Sequence, residues 1–548
     1  MRKIVGLALL SVLLCGTLSA QKNKKATSPT DRPKLVVGIV VDQMRWDFLY
    51  RYYDKYQTGG FKRLLGEGFS CENTMINYIP TVTAIGHTTI FTGSVPSIHG
   101  IAGNDWTNPV TGKSIYCTDD STVETVGAKG KAGRMSPRSL LTTTITDELR
   151  LASNFKSKVV GVSLKDRASI LPAGHNPTGA FWIDDASGRF ITSTYYMKTL
   201  PDWVNAFNDA QPVEKLVANG WNTLLPIDQY TESTADNVAW EGTLKGASAP
   251  VFPYDTKKAY EADHGSLRQM PFGNTLTLDF AKAAIDGYKL GQETATDFLT
   301  INCASTDYSG HLVGPNAIEV EDVYLRLDKD LATFFAYLDQ KVGKGNYLVF
   351  LTADHGAAHA EGFMRENKMP AGLLSSKLES KLKKTLLKQF HGDSLIFGID
   401  NFQVNFNKVQ IDTLKLDFEK VKAATVDFLR EQNGVQYAVD QDKIAIASIP
   451  ATIREMMING YNQQRSGSVV LAPLSNWMPH NCKKGCTHSL WNPYDSHIPL
   501  VFMGWGIPHG TTHRTTYMTD ISATLAALLH IQMPSGCIGS PIQEVMKR

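Results

Sequence analysis

The chain has 548 residues, of which 43% are hydrophobic and 20% charged, with 55 basic and 53 acidic side chains. This composition is typical of a soluble globular protein and excludes collagen, coiled-coil and disordered classes. The length exceeds what one ordinary core supports, so we expect a large domain that carries a sizeable insertion. The near balance of charge gives no general attraction to nucleic acid or anionic membranes, so any preference for anions must arise at a local site.

Residues 1–20 are typical of a secretory signal peptide. Two basic residues precede an apolar run, Ile4 to Leu14, which is too short to span a bilayer, and a small-residue cleavage site ends at Ala20. A membrane anchor and lipidation at Cys15 are the alternatives. Cleavage at Ala20 leaves 53 basic and 53 acidic side chains. We therefore expect an exported, periplasmic or secreted protein without a membrane span in the mature chain.

Buried β-strands are predicted after a polar, proline-containing linker at residues 21–33. The segment from Lys34 to Val41 is almost continuously apolar and β-branched, as in a parallel strand that is buried on both faces. The segments Phe298 to Ala304 and Tyr347 to Ala353 have the same pattern. We expect these strands to belong to one large domain over residues 34–548.

A strongly amphipathic helix, about Ala317 to Val342, separates the second and third of these strands and completes a strand–helix–strand unit. The last core strand is predicted at His497 to Gly504, followed by a helix at Asp520 to Leu529. Alternating strands and helices of this kind indicate the α/β class. We expect a mostly parallel, doubly wound sheet, in which sites form beyond the carboxyl ends of the strands.

Two segments differ in composition from the predicted sheet. Residues from about 180 to 270 are richer in Trp, Asn, Pro and Gly and have no long apolar run that would predict a buried strand. Residues from about 365 to 480 mix helices with short strands. We expect both segments to be insertions that form a cap over the site.

Six acidic or imidazole side chains are candidate metal ligands. Most of them follow predicted core strands, and Asp307 and His311 are four residues apart, so one helical turn places them on the same face. Each one alone is more often a surface or structural residue. Together they form a nitrogen and oxygen set that suits zinc, and six ligands exceed what one catalytic zinc uses, so two metal ions are expected. The set is Asp42, Asp307, His311, Asp354, His355 and His488.

A threonine-rich segment, residues 77–93, resembles a loop that enters a helix. A hydroxyl at a helix N-terminus meets unpaired N–H groups and partial positive charge, which favour an anion. Thr83 is therefore a candidate nucleophile. This segment alone favours a capping role for Thr83, and Thr81 is a rival nucleophile on the same grounds. His87, one turn later, is interpreted as a packed helical histidine.

Three further side chains are candidates for binding phosphoryl oxygens. Asn104 lies in a glycine-spaced turn, where an amide could donate a hydrogen bond, although asparagine suits turns in any case. Lys165 and Arg167 follow another predicted buried strand and offer a point charge and a planar fork for phosphate. Surface ion pairs are the alternative for both cations.

Six cysteines remain after removal of the predicted signal peptide, and an even number in an exported chain favours disulfides over sulfur-bound metal. Cys482 and Cys486 are close enough in sequence to pair with each other. No second pair of closely spaced cysteines exists that would complete a four-sulfur zinc site.

These motifs, in this order, resemble those of the alkaline phosphatase superfamily. The order is Asp42, TVTAIGH with Thr83, HGIAGNDW, SLKDR, Asp307-x3-His311, ADHG and His488. The chain is especially similar to the phosphate-irrepressible (PafA-type) bacterial alkaline phosphatases. The resemblance spans about residues 34 to 536. It implies a three-layer α/β/α sandwich with a capping subdomain.

The resemblance also implies a role for each site residue. It assigns one zinc to Asp307, His311 and His488, and the other to Asp42, Asp354 and His355 with Thr83. It makes Thr83, not Thr81, the nucleophile. It assigns Asn104, Lys165 and Arg167 to the binding of the phosphoryl oxygens. The resemblance also implies two Zn²⁺ per chain.

The expected activity is hydrolysis of small phosphate monoesters through a phosphothreonine. The chain lacks the Cys/Ser-x-Pro-x-Arg segment of sulfatases, which argues against sulfate esters. A phosphodiesterase or nucleotide pyrophosphatase on the same scaffold is the main alternative, and an inactive binding protein of the cell envelope is another. No nucleic-acid partner is expected, and a monomer is compatible with the sequence.

Overall fold

A computed structural model describes residues 32–546 of the chain. The predicted signal peptide and most of the predicted linker lie outside the described residues. Over residues 32–546, none of the helices has the length and apolar character that crossing a membrane requires.

The described residues form 21 strands, ten of which belong to one central sheet. In chain order they are β1 Leu35–Val41, β2 Phe69–Cys71, β3 Thr74–Met75, β4 Asp105–Thr107, β5 Ser114–Tyr116, β6 Thr125–Val126, β7 Val159–Ser163, β8 Gly179–Asp184, β9 Arg189–Ser193, β10 Asp297–Cys303, β11 Tyr347–Thr352, β12 Gly372–Leu373, β13 Ile396–Asp400, β14 Gln403–Phe406, β15 Val435–Asp440, β16 Val469–Pro473, β17 Trp477–Met478, β18 His497–Ile498, β19 Leu500–Gly504, β20 Gly510–Thr512 and β21 Thr516–Tyr517.

The same residues form 20 α-helices, and a short π-helix at Asp339–Gly343 extends the twelfth of them. In chain order they are α1 Phe48–Arg51, α2 Phe61–Glu67, α3 Thr83–Thr92, α4 Pro96–His99, α5 Ile145–Ala152, α6 Asp166–Ala173, α7 Asp202–Asp209, α8 Pro212–Val217, α9 Thr256–Ala262, α10 Phe272–Tyr288, α11 Ser305–Val313, α12 Ile318–Leu338, α13 Glu361–Glu366, α14 Leu378–Phe390, α15 Lys408–Thr413, α16 Phe418–Arg430, α17 Ala451–Gly460, α18 Pro493–Ser496, α19 Asp520–Leu529 and α20 Gln543–Met546.

The central sheet has the strand order β20-β2-β19-β11-β1-β10-β7-β8-β9-β6. Its middle, from β11 to β8, is parallel throughout, with β1 paired to both β10 and β11. Strands β1, β10 and β11 are buried along their whole length, as expected for strands covered on both faces. Helices α3, α5, α6 and α19 pack together as one layer, and α7, α8, α10 and α12 as another. The predicted α/β/α sandwich is confirmed.

Two parts of the sheet differ from the sequence expectation. The segment predicted as the last core strand is divided at Pro499 into β18 and β19, and β19 runs antiparallel to β11. Strand β8 is fully buried and extends the sheet within the segment where no long buried strand was expected. Its six residues are too few to produce a long apolar run. The segment from Leu200 to Tyr260 contributes side chains to the main hydrophobic core.

A second, smaller unit lies between β11 and β18. Strands β13, β14, β16 and β15 form a separate four-stranded sheet, which helices α14 and α16 cover. Leu382, Val404, Val421 and Leu471 belong to a hydrophobic core of this unit, distinct from the main core. We propose that this unit, which we call the cap, is the capping insertion.

The expected disulfides are absent from the described residues, where all six cysteines are free. The prediction of a Cys482–Cys486 pair was wrong because the two thiols have different environments. Cys486 is buried and its Sγ donates to the carbonyl oxygen of Gly310 at 3.0 Å. Cys482 instead places its Sγ 3.7 Å from Met478 Sδ.

Candidate metal centre and nucleophile

The six predicted ligands converge at the carboxyl ends of the central parallel strands. Asp42 directly follows β1, and Asp354 and His355 follow β11. Asp307 and His311 lie in α11, which begins two residues after β10. These strands are neighbours in the sheet, so their carboxyl ends meet at one edge. His488 arrives from a loop that is distant in sequence.

One group of ligand atoms comprises Asp307, His311 and His488, whose atoms all lie within 4.8 Å of one another. One turn of α11 separates the first two residues, and His311 Nε2 lies 3.1 Å from Asp307 Oδ1. The same carboxylate oxygen lies 3.8 Å from His488 Nε2. The predicted Asp-x3-His pair is therefore on one helical face, with His488 opposite it.

A second group surrounds Asp42 and Asp354, which are fully buried. His355 Nε2 lies 3.3 Å from Asp354 Oδ2 and 3.8 Å from Asp42 Oδ1. Ligand atoms of Asp42, His87 and Asp354 also lie within 4.8 Å of one another. His87 Nδ1 lies 3.1 Å from the carbonyl oxygen of Thr83, one helical turn earlier, and 3.4 Å from Asp354 Oδ2. His87 therefore packs inside α3 and also touches this group.

Backbone carbonyls fix the orientation of the three predicted imidazole ligands. His311 Nδ1 lies 2.9 Å from the Cys486 oxygen, His488 Nδ1 lies 2.6 Å from the Thr81 oxygen, and His355 Nδ1 lies 3.0 Å from the Gly356 oxygen. Only a protonated Nδ1 can donate to a carbonyl, so each Nε2 keeps its lone pair for a ligand. This arrangement is typical of metal-binding histidines.

Charge is unbalanced in this cluster. Burial raises the pKa of the Asp42 carboxyl well above its ordinary value, and neighbouring Asp354 raises it further. Burial lowers the pKa of His488 well below its ordinary value, and His355 and His311 add to this effect. His488 is therefore neutral and able to bind a metal, whereas the buried carboxylates repel one another.

The cluster fits divalent metal ions. Asp42 Oδ1, Asp354 Oδ2 and His355 Nε2 are buried polar atoms that make no hydrogen bond. Such atoms are costly in a protein interior unless another partner satisfies them. Carboxylate oxygens and imidazole nitrogens in this number and arrangement are suitable zinc ligands.

Thr83 is the first residue of α3, at the edge of the cluster. Lys165 Nζ lies 3.5 Å from Thr83 Oγ1, and the same ammonium group lies 2.8 Å from Asp42 Oδ2 and 2.7 Å from Asp307 Oδ2. The helix approaches closely because Gly86 has no side chain, and a Cβ there would lie 2.6 Å from Asp354 Cβ. The Lys165 ammonium group therefore contacts both the Thr83 hydroxyl and one ligand from each group.

Thr81, the rival to Thr83, is occupied by other contacts. Its hydroxyl donates to the carbonyl oxygen of Leu490 at 3.1 Å and accepts from the Ser489 N–H at 3.1 Å. The start of α3 is capped by a different residue, since Asn104 Oδ1 accepts from the Ala84 N–H at 2.9 Å. This contact leaves the Asn104 amide N–H groups as donors at the start of α3.

The two predicted phosphate-binding cations line one cavity of about 590 Å³ together with Tyr116 and Tyr308. Lys165 is buried, which by itself lowers its pKa, but Asp307 and Asp42 raise it above the ordinary value, so the amine stays charged. Arg167 Nη1 donates to the Tyr116 hydroxyl at 3.1 Å, and Arg167 Nε is buried without a partner.

Gln43 is a site residue that the sequence reasoning missed. Its backbone N–H donates to Asp354 Oδ1 at 3.1 Å, and its side-chain Nε2 donates to Asp307 Oδ1 at 2.8 Å. It therefore joins the two ligand groups. Gln43 adopts a left-handed backbone conformation, with φ of 62°, which only Gly and a few other residues adopt readily. In the sequence, only its position directly after Asp42 could have identified Gln43 as a site residue.

Comparison with known proteins identifies the family of the chain. The family model of type I phosphodiesterases and nucleotide pyrophosphatases matches residues 36–495, which is most of the chain. The chain belongs to this family.

Individual relatives indicate which activity within this family the chain has. Alkaline phosphatase PafA of Elizabethkingia meningoseptica is 58% identical over 543 residues, which cover 98% of this chain and 99% of the relative. Alkaline phosphatase PhoV of Synechococcus elongatus is 52% identical over 544 residues, covering 98% of each. The crystal structure of wild-type PafA has a TM-score of 0.93, at 58% identity, and covers 94% of this chain and 99% of that one. The chain is therefore an alkaline phosphatase, a phosphomonoester hydrolase.

Replacement of Gln43 by alanine tests its link between the two ligand groups. We expect Gln43→Ala to lower zinc affinity by about 10- to 100-fold, because ligands lose orientation when their hydrogen-bond partners are removed. Competition with a chelating indicator measures this affinity without reference to activity. Gln57→Ala is the matched control, since the Gln57 side chain is exposed. Unchanged zinc binding in Gln43→Ala would contradict the link.

Proposed function

We propose that the protein is an exported, zinc-dependent phosphatase that hydrolyses phosphate monoesters through a phosphothreonine at Thr83. The observation that carries this proposal is the position of Lys165. Its ammonium group contacts the Thr83 hydroxyl, Asp42 and Asp307, so the hydroxyl lies at the junction of the two ligand groups. Export rests on the signal-like residues 1–20.

In this proposal two zinc ions share the cluster. Asp307, His311 and His488 would hold one ion, and Asp42, Asp354 and His355 would hold the other, with Thr83 as a further ligand. Bound zinc would lower the pKa of the Thr83 hydroxyl and balance negative charge on the departing oxygen. Three observations support the assignment: the proximity of Asp307, His311 and His488, the distances from His355 to Asp42 and Asp354, and the three unpartnered buried atoms.

The reaction has two displacements at phosphorus. Thr83 Oγ attacks in line, so that a bond from Oγ to phosphorus forms while the bond to the alcohol oxygen breaks. Water then attacks the phosphothreonine, which releases inorganic phosphate and restores the hydroxyl. Lys165, Arg167 and the Asn104 amide would bind the nonbridging oxygens, where negative charge is concentrated.

The cations also bear on which esters react best. A monoester dianion offers Lys165 and Arg167 more charged oxygens than a diester does, so these residues favour monoesters. A phosphodiesterase or nucleotide pyrophosphatase activity is the second candidate, because the matching family model carries that description.

Thr83→Ala tests the nucleophile. We expect this variant to form no phosphoenzyme and to lose at least about 10³-fold in kcat, because the rival hydroxyl of Thr81 is engaged with Leu490 and Ser489. Rapid quenching followed by intact-mass measurement detects an added phosphoryl group. Thr88→Ala is the control, since the Thr88 hydroxyl only donates to the Ala84 carbonyl in the same helix. A phosphorylated Thr83→Ala protein would rule out the assignment.

Arg167→Ala tests the preference for monoesters. In the wild-type protein we expect a higher kcat/KM for an aryl monophosphate than for the matching diester. Arg167→Ala should lower the monoester value by about 10²-fold and the diester value by less, because the diester has less charge for the guanidinium to bind. Arg189, which pairs with Asp209 at the surface, provides a control. A wild-type protein that is faster on the diester would favour the second candidate.

A further inference from the structure

A cavity of about 500 Å³ lies between the candidate metal centre and the cap. One wall contains His488 and Ser489, and the other contains Leu374, Ile399, Phe402 and Leu471 of the cap. Cavities of this size hold small organic ligands. Because His488 belongs to the ligand group with Asp307 and His311, the cavity begins at the metal centre and extends beneath the cap.

The cap reaches this cavity through an unusual turn. Strands β13 and β14 pair as a hairpin in which Asp400 opposes Gln403, so Asn401 and Phe402 form a two-residue turn. Both residues have positive φ, 50° and 60°. Such turns normally use Gly or Asn, and a bulky aromatic residue in this conformation is strained. Strained residues cluster at ligand sites, and here the Phe402 side chain lines the cavity.

A second contact places the turn close to the phosphate-binding residues. Asn401 Nδ2 donates to the carbonyl oxygen of Asp105 at 3.0 Å, next to Asn104. The would-be Cβ of Gly103 would lie 2.7 Å from the same Asn401 nitrogen, so the loop and the turn are in close contact. The turn therefore lies over the site, with Asn104 on one side and the cavity on the other.

The cavity wall carries little charge. None of its described lining residues is lysine or arginine. Glu379 is the acidic lining residue, and its carboxylate is occupied, since it accepts from Lys383 Nζ at 2.6 Å and from the Ile399 N–H at 3.2 Å. A wall of this kind suits uncharged groups with an apolar or aromatic face. Its imidazole and hydroxyl groups, such as His480 and Ser375, are ordinarily uncharged near neutral pH, so the wall holds no permanent positive charge to balance an additional anion.

The geometry of in-line attack at phosphorus indicates that the departing alcohol lies on the side of this cavity. Helix α3, which begins at Thr83, packs against Asp354 through Gly86 and His87. In-line attack places the departing oxygen on the opposite side of phosphorus. His488, which lines the cavity, belongs to the other ligand group.

We propose that this cavity binds the alcohol portion of the substrate, with Phe402 as its main aromatic contact. It accepts uncharged alcohols that carry an aromatic or apolar group. It disfavours leaving groups with further negative charge, such as pyrophosphate. This assignment rests on the proposed function, since it assumes that Thr83 is the attacking group.

Two esters with alcohols of similar acidity isolate the contribution of the cavity. The test compares kcat/KM for ethyl phosphate and 2-phenylethyl phosphate in the wild-type protein and in Phe402→Ala. We expect Phe402→Ala to lower the value for 2-phenylethyl phosphate about tenfold, because the ring contact is lost, and to change ethyl phosphate less than twofold. In the wild-type protein, a para-carboxylate on the phenyl ring should lower kcat/KM, since the described lining of the cavity contains no lysine or arginine to pair with it.

Two controls distinguish the loss of the Phe402 contact from general destabilisation of the protein. Phe390→Ala removes a partly buried ring from the cap core without touching the cavity, and should leave the ratio of the two esters unchanged. Inhibition by inorganic phosphate, which has no alcohol, should be unchanged in Phe402→Ala. Equal effects of Phe402→Ala on both esters, or no effect on either, would overturn the cavity assignment and leave the proposed function intact. A wild-type protein that hydrolyses neither ester would overturn the proposed function as well.

Discussion

Three carboxylates, Asp42, Asp307 and Asp354, are buried together, and the repulsion between them is the constraint on which the site depends. Removal of like charges from water is costly unless positive charge compensates them. Among the described residues, Lys165 supplies one such charge through contacts with Asp42 and Asp307. The remaining negative charge, together with imidazole Nε2 atoms that face the carboxylates, makes the cluster a candidate site for divalent ions. Lys165, which contacts two of these carboxylates, also contacts Thr83, the proposed nucleophile.

The sheet brings the three carboxylates together because its central strands are parallel. Strand β1 pairs with both β10 and β11, so the residues that follow the three strands meet at one edge. Helix α3 then brings Thr83 against this edge, and Gly86 permits the close approach to Asp354. On the other side of the cluster, the cap completes the cavity that we assign to the alcohol. We therefore propose that residues following the sheet strands carry out the reaction, and that the cap influences which alcohols the site accepts.

Much of this architecture could be predicted from local patterns. Buried apolar runs located β1, β10 and β11, and the four-residue spacing of Asp307 and His311 placed them on one face of α11. Strand β19 shows the limit, because burial on both faces does not encode strand direction. The disulfide expectation failed because cysteine number says nothing about where a thiol such as Cys486 points. Gln43 was missed because its role depends on a left-handed backbone and on contacts made far away in sequence.

Anomalous scattering at the zinc edge, measured from crystals of the protein grown with zinc, would locate bound zinc ions. We expect two zinc peaks beside the Thr83 hydroxyl. One should be bounded by Asp307, His311 and His488, and the other by the ligand group that contains Asp42 and Asp354. Absence of zinc from this cluster, or a single ion bound by only one of the two groups, would contradict the account.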